Sequence, residues 1–356
     1  MLTDKPRLPF WDLLTIGILP CFLKKLIYRF KGYKIGKNTT IGWCSIIIAK
    51  EVSIGKNVNI GNFTIIRANE LKIESYTRVG SLSYLDTPSI HLKEDSKINE
   101  QVFIGGLQYP NSKFVLGQRS QIAQLSYINP TVSIAIGDDS AVGGHCLLFG
   151  HTSWQNVFEG YHTSQGAIEI GNGASLSWRV FVLPGVKIGD RSIVGANSLV
   201  NNSIPSGSLA VGSPARVVSK EPYICREIDK AGKRSLFREI IDEMLLYLKG
   251  SGYRVHKENN YIDVSLIGQS FLRKFNRYRF AVVESIEGSS VDMEISNLDL
   301  VVSLEPMPET FRLRLNEEGV NWLVIESKSR SEKPDDLTDE VAMWFRRYGV
   351  KFEREK

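Results

Sequence analysis

The sequence predicts a parallel β-helix of triangular cross-section, and two repeating patterns carry this prediction. An aliphatic residue followed by a small one recurs every six positions, with an uninterrupted series at Ile170, Leu176, Val182, Ile188, Val194 and Val200. Over a longer range, Ile35, Ile54, Ile73 and Leu92 stand nineteen residues apart, which is three hexads plus one residue. A helix with 3.6 residues per turn cannot sustain such a repeat. Six residues on each of three faces predict about eight stacked coils between residues 35 and 205.

Each coil is expected to point its aliphatic residues inward, onto their counterparts one coil away. The residue after each aliphatic one must be small or tolerate a turn, because the chain bends at every corner. The series continues at Leu116, Ile136, Ile170 and Ile188. Two insertions, at about 107–115 and 151–169, interrupt it without destroying its phase.

Composition limits the classes of protein to consider. The chain has 356 residues, 42% hydrophobic and 23% charged, which suits two globular domains and excludes collagen, a disordered chain and a polytopic membrane protein. A net charge of +5 does not predict a nucleic-acid partner. The four cysteines lie far apart without a CxxC pair, so we expect neither disulfides nor a zinc site, and a cytoplasmic location fits.

Residues 1–34 form a segment of their own, with seven basic and two acidic side chains. Residues 1–34 therefore carry a net charge of +5, which equals the net charge of the whole chain. The apolar stretch 10–23 is shorter than the roughly 20 residues of a spanning helix, and Pro20 interrupts it. Apolar residues followed by a basic run are typical of a segment in the interface of an anionic membrane. The alternative is a helix that caps the next domain, and the two roles are compatible.

At this point the chain resembles the hexapeptide-repeat acyltransferases, whose fold is a left-handed parallel β-helix. The resemblance rests on the hexads and on the ending Val211-Gly212-Ser213-Pro214-Ala215-Arg216, which matches the family's Gly-Asn-Pro-Ala-Arg with Ser213 in place of Asn. It covers roughly residues 30–220. It implies an acetyl-CoA-dependent transferase that forms homotrimers. The N-terminal segment looks like those of members that modify surface polysaccharides and their lipid-linked precursors.

The resemblance also implies site residues. His151 stands where the repeat breaks off, as the family's catalytic histidine does, and would act as the general base on an acceptor hydroxyl. Four further residues are expected to bind the acceptor: Asn129, His145, Trp154 and Glu159. Two nearby histidines also suggest the zinc site of the carbonic anhydrases of this fold. The spacing of His145 and His151 differs from theirs, so no metal is expected.

For the donor, the resemblance points to the last coils. Ala196 matches the small position beside the pantetheine arm of CoA, and Arg216 matches a residue placed for the adenosine phosphates. Asn201-Asn202 replaces the usual Thr-Lys, which puts part of the phosphate contact in doubt, and Arg179 could compensate. Trp178 replaces a small residue and would narrow or cap the donor channel.

Residues 220–356 lie outside the resemblance and predict a smaller α+β domain of unknown role. Phe237, Ile240, Ile241, Met244, Leu245 and Leu248 form one stripe of a helix over 234–249. Strands are predicted at 261–267, 278–285, 298–304, 311–315, 321–327 and 349–353, with a helix at 336–348. Asp299 with Glu326-Ser327-Lys328 has elements of a metal-dependent nuclease, although alternating charges at a strand end explain them as well.

The sequence therefore predicts three parts: the amphipathic segment 1–34, a β-helix acyltransferase domain over 35–219 with the loop 151–169, and the α+β domain 220–356. The predicted function is transfer of an acetyl group to a sugar hydroxyl of a surface glycan or its precursor, at the inner face of the cytoplasmic membrane. Two alternatives remain open: N-acetylation of an amino sugar, and a non-catalytic membrane-associated scaffold whose C-terminal domain binds a partner.

Overall fold

The computed structural model describes residues 8–152, 155–266, 277–285, 294–333 and 335–355. The chain divides into two compact units, Met1–Arg226 and Glu227–Lys356. The first unit contains the hexad repeats, and the second contains the C-terminal helices and strands.

Three parallel sheets form the first unit. Sheet A contains the strands Lys34–Ile35, Glu51–Ile54, Glu70–Ile73, Ser89–Leu92, Lys113–Leu116, Ile134–Ile136, Ile168–Ile170 and Lys187–Ile188. Sheet B contains Thr40–Ile41, Asn59–Ile60, Arg78–Val79, Lys97–Ile98, Gln121–Ile122, Ala141–Val142, Ser175–Leu176, Ile193–Val194, Ser208–Gly212 and, antiparallel to the last, Ala215–Lys220. Sheet C contains Ile46–Ile48, Ile65–Arg67, Tyr84–Asp86, Phe103–Gly105, Tyr127–Asn129, Leu147–Phe149, Phe181–Val182 and Leu199–Val200.

Neighbouring strands in each sheet belong to successive coils, so the chain winds through eight coils, numbered 1 to 8 from Lys34 to Val200. The predicted left-handed β-helix is confirmed. The aliphatic residues of the hexads point inward and are almost fully buried, as in the sheet B row Ile41, Ile60, Val79, Ile98, Ile122, Val142, Leu176 and Val194. Burial of these stacked rows is the main stabilising contribution to the coils.

A small residue is required after each aliphatic one, but not because the chain bends there, as the sequence analysis expected. A Cβ added to Gly55 would come within 2.5 Å of the Ser75 backbone nitrogen, one coil away. The bend lies two residues later, where Asn57 adopts a left-handed φ of 56°. Glycine is therefore required here by the close approach of the next coil, and the turn is made by another residue.

Buried serines and threonines connect the coils at their corners. Ser126 shows the arrangement: its Oγ donates to the Gly143 carbonyl at 2.9 Å and accepts from the Cys146 amide at 3.2 Å. Thr39, Thr64 and Thr77 make the equivalent donation in earlier coils. These hydroxyl groups satisfy corner backbone groups that the strands leave without partners.

Residues 8–33, which we call the cap, cover the start of coil 1. The cap contains Phe10–Asp12, a π-helical turn at Leu13–Gly17 and the helix Cys21–Phe30. Lys24 is fully buried, and its Nζ donates to the carbonyls of Gly42 at 2.6 Å and Ser45 at 3.1 Å. Burial lowers the pKa of Lys24. Among the described residues, no helix has both the length and the apolar character needed to cross a bilayer.

Both insertions leave the β-helix at the same corner, where the chain passes from sheet C to sheet A. The first connects Gly105 to Lys113 after coil 4, and the second connects Phe149 to Ile168 after coil 6. Elsewhere this corner is turned in a few residues, so the two insertions project side by side from one edge of the prism.

The second unit is a seven-stranded mixed sheet between helices. Its strands neighbour one another in chain order: Tyr253–Glu258, Tyr261–Leu266, Arg277–Val283, Leu300–Ser303, Asn321–Val324, Ser329–Arg330 and Glu353–Arg354. The helices are Lys230–Gly250, Glu309–Glu317 and Asp336–Arg346. The first and third helices pack on one face of the sheet and the second on the other. The predicted stripe of the first helix is buried as expected.

One expectation for this unit is wrong, and a second pattern noted in the sequence does not form a site. Residues 311–315, predicted as a strand, lie in the helix Glu309–Glu317, where Phe311 and Leu315 are buried against the sheet. The nuclease pattern also fails, because Asp299 precedes one strand and Glu326 follows its parallel neighbour. In the strand register Asp299 is level with Val320, six residues before Glu326, so the two residues lie at opposite strand ends, about 20 Å apart at 3.3 Å per residue.

Candidate active site

The neck of the second insertion is fixed by Gly150. Its amide donates to the Asn129 carbonyl at 2.9 Å, and its carbonyl accepts from the Gly166 amide at 3.0 Å. A Cβ at Gly150 would come within 2.9 Å of the Val132 carbonyl oxygen, so no larger residue fits without movement. The insertion then begins as a two-stranded arm, in which His151 pairs with Gln165. The backbone of His151 is thus held by its pairing with Gln165 and by the hydrogen bonds of the preceding Gly150.

The His151 side chain is half-buried at this neck. Its Nδ1 atom is enclosed, and none of the described residues hydrogen-bonds to it. A buried ring nitrogen without a partner is costly, and a histidine in such a position commonly serves a ligand or a neighbouring molecule. The imidazole is therefore held in place without an ion pair to any of the residues that the structure describes.

The rest of the insertion turns its apolar side chains outward. Asn156 caps the short 3₁₀ turn Val157–Glu159, accepting from the Phe158 amide at 3.1 Å and donating to the Glu159 carboxylate at 2.8 Å. Phe158 is 97% exposed, and Tyr161 is about half exposed. Glu159 thus bonds within its own turn and not to His151. Trp154 lies outside the described residues.

Asn129 lies directly beneath the neck. Its side chain is 4% exposed, and its Oδ1 accepts from the Thr131 hydroxyl at 2.7 Å. The first insertion also contacts Thr131, because the Leu107 amide donates to Thr131 Oγ1 at 3.0 Å. Asn129 therefore supports Gly150, and through it the backbone that carries His151, from a buried position.

His145 lies at a different corner, where the chain passes from sheet B to sheet C. It is exposed, adopts a left-handed φ of 56°, and its ring centroid lies 5.9 Å from that of Trp178. The adjacent Cys146 is buried, and burial raises the pKa of its thiol to about 11. A cysteine nucleophile at this corner is therefore disfavoured.

The residues expected to contact the donor share the corner of His145. Trp178 and Arg179 occupy it in coil 7, and Ala196 occupies it in coil 8, all exposed. Trp178 lies against Gly144, where an added Cβ would meet its ring at 2.6 Å. Arg216 follows in the closing hairpin, opposite Val211, and is also exposed.

In one chain, His151 and the donor residues do not meet. They lie at the two ends of a sheet C strand, and His151 stands six positions after His145 along the chain. At about 3.3 Å per residue the separation reaches roughly 20 Å. One copy of the chain therefore places His151 and the residues expected to contact the donor, which we call the two proposed half-sites, on two corners.

One feature escaped the sequence analysis. The outer face of sheet C carries a row of partly exposed aromatic rings with neighbouring centroids 4.7–5.4 Å apart: Tyr84, Phe103, Tyr127, Phe149 and Phe181. The first four rings are stacked, and the last pair meets edge to face. Four of them directly precede an inward aliphatic residue, so the nineteen-residue register of the hexads already contained this signal.

Among the described residues, no cluster of three or more His, Cys, Asp or Glu side chains has a geometry that would hold a metal ion. No protein-family model matches the chain. Individual relatives do match it. A provisionally named acetyltransferase of Staphylococcus aureus is 46% identical over 76 residues, 21% of this chain and 35% of the relative. The galactoside O-acetyltransferase of Escherichia coli is 30% identical over 138 residues, 36% of this chain and 64% of the relative.

The chain thus spans about a third of the length of the first of these relatives and just under two thirds of the second. Among solved structures, the polySia-specific acetyltransferase NeuO is 18% identical with a TM-score of 0.36, covering 56% of this chain and 84% of that one. LpxA from Acinetobacter baumannii is 11% identical with a TM-score of 0.38, covering 58% and 79%. The hexad repeat, the eight coils it builds and the matching acetyltransferase sequences support the resemblance of this chain to the hexapeptide-repeat acyltransferase family.

Proposed function

We propose that the protein transfers an acetyl group from acetyl-CoA to a sugar hydroxyl of a surface polysaccharide or its lipid-linked precursor. His151 accepts the proton of the acceptor hydroxyl while the hydroxyl oxygen bonds to the thioester carbon. The carbon–sulfur bond breaks, and the proton passes to the departing thiolate, which leaves as free CoA. General-base assistance of this kind contributes about 10²–10⁴-fold to a rate.

The observation that carries this proposal is the placement of His151. The β-helix holds its backbone through Gly150 and the paired arm, while Nδ1 has no partner among the described residues. Because Nδ1 is enclosed, the substrate proton would be accepted by Nε2, the other nitrogen of a half-buried imidazole on a rigid backbone.

We place the donor on the corner of Trp178, Arg179 and Ala196, with Arg216 beyond it. The guanidinium groups of Arg179 and Arg216 are exposed and suit phosphate oxygens, and the small side chain of Ala196 leaves room for a narrow arm. The small side chain of Ala196 is the feature that supports binding of a CoA thioester at this corner.

Because the two half-sites lie on different corners, we propose that a second copy of the chain brings its donor corner to His151. The exposed tip at Phe158 supports this, since an aromatic ring that is 97% exposed is more stable against a neighbour. A cyclic homotrimer, as the family resemblance implies, would form three such sites.

The acceptor class is supported by the loop itself. Tyr161 combines an aromatic face with a hydroxyl group, as sugar-binding sites commonly do, and Glu159 and His162 add exposed polar groups. The match to a galactoside O-acetyltransferase favours an ester product over an amide. The basic, apolar cap favours action at the inner face of the cytoplasmic membrane.

Isothermal titration of the full chain with acetyl-CoA, and with free CoA for comparison, tests the donor part. We expect saturable binding that Arg216→Ala weakens at least tenfold, while Arg254→Ala, on an exposed strand of the second unit, leaves it unchanged. Absence of binding at millimolar donor would contradict the proposal and favour the non-catalytic scaffold.

A further inference from the structure

The inner face of the cap bonds to backbone groups at the open end of coil 1. The Tyr28 hydroxyl accepts from the Ile47 amide at 2.8 Å, and Cys21 Sγ accepts from the Ile41 amide at 3.3 Å. Hydrogen bonds between coils run parallel to the β-helix axis, so these unpaired strand groups point along that axis, away from coil 2. The cap therefore lies across the end of the β-helix rather than along its side.

The opposite face of the cap helix is apolar and exposed. Phe22, Leu26 and Phe30 follow one another at four-residue intervals and are 67%, 50% and 84% exposed. With 3.6 residues per turn, this stripe lies on the side of the helix opposite Cys21, Lys24 and Tyr28. It consequently points away from the coils, along the β-helix axis.

The residues around this stripe indicate what covers it. Trp11 is 77% exposed in the preceding segment, and Lys31 and Lys34 follow the stripe along the chain. Lys25 and Arg29 lie between the stripe residues in sequence and donate to the carbonyls of Thr39 and Ile35 at the edge of coil 1. Asp12 is the single acidic residue between positions 8 and 37. Large apolar side chains, an exposed tryptophan and a basic fringe together suit the interface of an anionic bilayer.

We propose that the cap seats the β-helix end-on on an anionic bilayer, so that the axis of the coils stands upright. Five coil intervals separate the sheet C strand of coil 1 from the strand that leads into His151. At about 4.8 Å per interval they span about 24 Å, and the cap helix adds roughly half to one helix diameter of 10–12 Å. His151 thus stands about 30 Å above the lipid surface.

This height restricts the acceptor, an inference that rests on the proposed function. A sugar attached directly to the lipid headgroup lies too close to the bilayer to reach His151. The acceptor hydroxyl belongs instead to a glycan that extends several sugar units from its lipid anchor. The β-helix acts as a spacer that selects for distance from the membrane.

Flotation with vesicles tests the docking surface. Wild type is expected to float with vesicles of phosphatidylglycerol and phosphatidylethanolamine, and much less with phosphatidylcholine alone. The double variant Phe22→Ser/Phe30→Ser should lower the floated fraction at least tenfold with unchanged thermal unfolding. The control variant Leu246→Ser, equally exposed on the second unit, should float like wild type. If the double variant instead separated an oligomer without affecting flotation, a second copy would cover the stripe and the proposal would fail.

Energy transfer to a lipid dye tests the height. One donor dye is attached at Ser164→Cys, in the arm beside His151, and the other at Lys37→Cys in coil 1, both in a Cys225→Ser background. We expect a distance of about 30 Å for the first and a much shorter one for the second. Equal distances would mean that the β-helix lies on its side, which overturns the proposal. Neither readout requires catalysis, so a failure of acetyl-CoA binding would contradict only the proposed function.

Discussion

The Gly150 amide donates to the Asn129 carbonyl at 2.9 Å, joining the neck of the second insertion to the coil beneath it. This bond stands one residue before His151. It connects coils 5 and 6, each of which is packed between two neighbouring coils, to a loop outside the repeat. The position of the proposed base is therefore determined by the coils and not by the loop.

Replacing Gly150 by Ala tests this link. The added Cβ would meet the Val132 carbonyl oxygen at 2.9 Å, so the neck must move and His151 with it. We expect kcat to fall about 10²-fold, as displacements of about 1 Å can cause, with a modest fall in Tm. Gly250→Ala, whose Cβ would meet nothing within 4 Å, should leave kcat unchanged. Equal activity of the two variants would contradict the argument.

His151→Ala should lower kcat/KM by about 10²–10⁴-fold, because it removes the proton acceptor. Acetyl-CoA affinity should change little, since the donor lies on another corner. His162→Ala, an exposed histidine in the same insertion, is the matched control and should retain most activity. Steady-state kinetics with binding by titration separate the two effects. Full activity of His151→Ala would refute the mechanism.

Mixing two inactive variants tests whether copies share a site. His151→Ala and Arg179→Ala damage different half-sites, so a trimer with sites between copies regains intact sites on mixing. Random exchange within a cyclic trimer predicts recovery of roughly a quarter of wild-type activity. Each variant mixed with itself is the control. No recovery after verified subunit exchange would mean that each chain carries a complete site.

The corner hydroxyl groups should contribute measurably to stability. Ser126→Ala leaves the Gly143 carbonyl and the Cys146 amide without their buried partner, at a cost of about 1–3 kcal/mol. Ser126→Thr should be tolerated, because threonine occupies the equivalent place at Thr39, Thr64 and Thr77. Urea denaturation of both variants measures the difference. A threonine variant as unstable as the alanine one would argue for a steric effect instead.

The lowered pKa of Glu74 predicts that the stability of the fold depends on pH in the acid range. Burial alone would raise the pKa of Glu74, but hydrogen bonds from Lys72 and His91 lower it overall below 4.5. A carboxyl with a lowered folded-state pKa contributes stability above its unfolded pKa, and this stability is lost as the pH falls below about 4.5. Glu74→Gln should therefore flatten the acid side of a plot of urea midpoint against pH, whereas exposed Glu51→Gln should not. If the urea midpoints of Glu74→Gln and wild type changed with pH in parallel, Glu74 would not contribute this pH-dependent stability.

The hexads predicted the fold because a stacked coil repeats its environment, so every Ile or Val of the inward rows reports the same burial. The reason for the small residues was misassigned, since spacing alone does not distinguish a bend at Gly55 from close contact with Ser75. The helix at Glu309–Glu317 was missed because Phe311, Leu313 and Leu315 alternate as in a strand, and tertiary packing decided otherwise. The separation of His145 from His151 required the coils themselves, because only the corners tell which faces the two residues occupy.

Transfer of a radiolabelled acetyl group from acetyl-CoA to a glycan-containing membrane fraction measures the proposed reaction itself. Wild type should label the glycan, His151→Ala should not, and mild base should release the label, because esters are cleaved where amides survive. Label that resists mild base would replace the sugar hydroxyl by an amino group. Equal labelling by wild type and His151→Ala, or none by wild type that binds neither donor nor vesicles, would contradict the account.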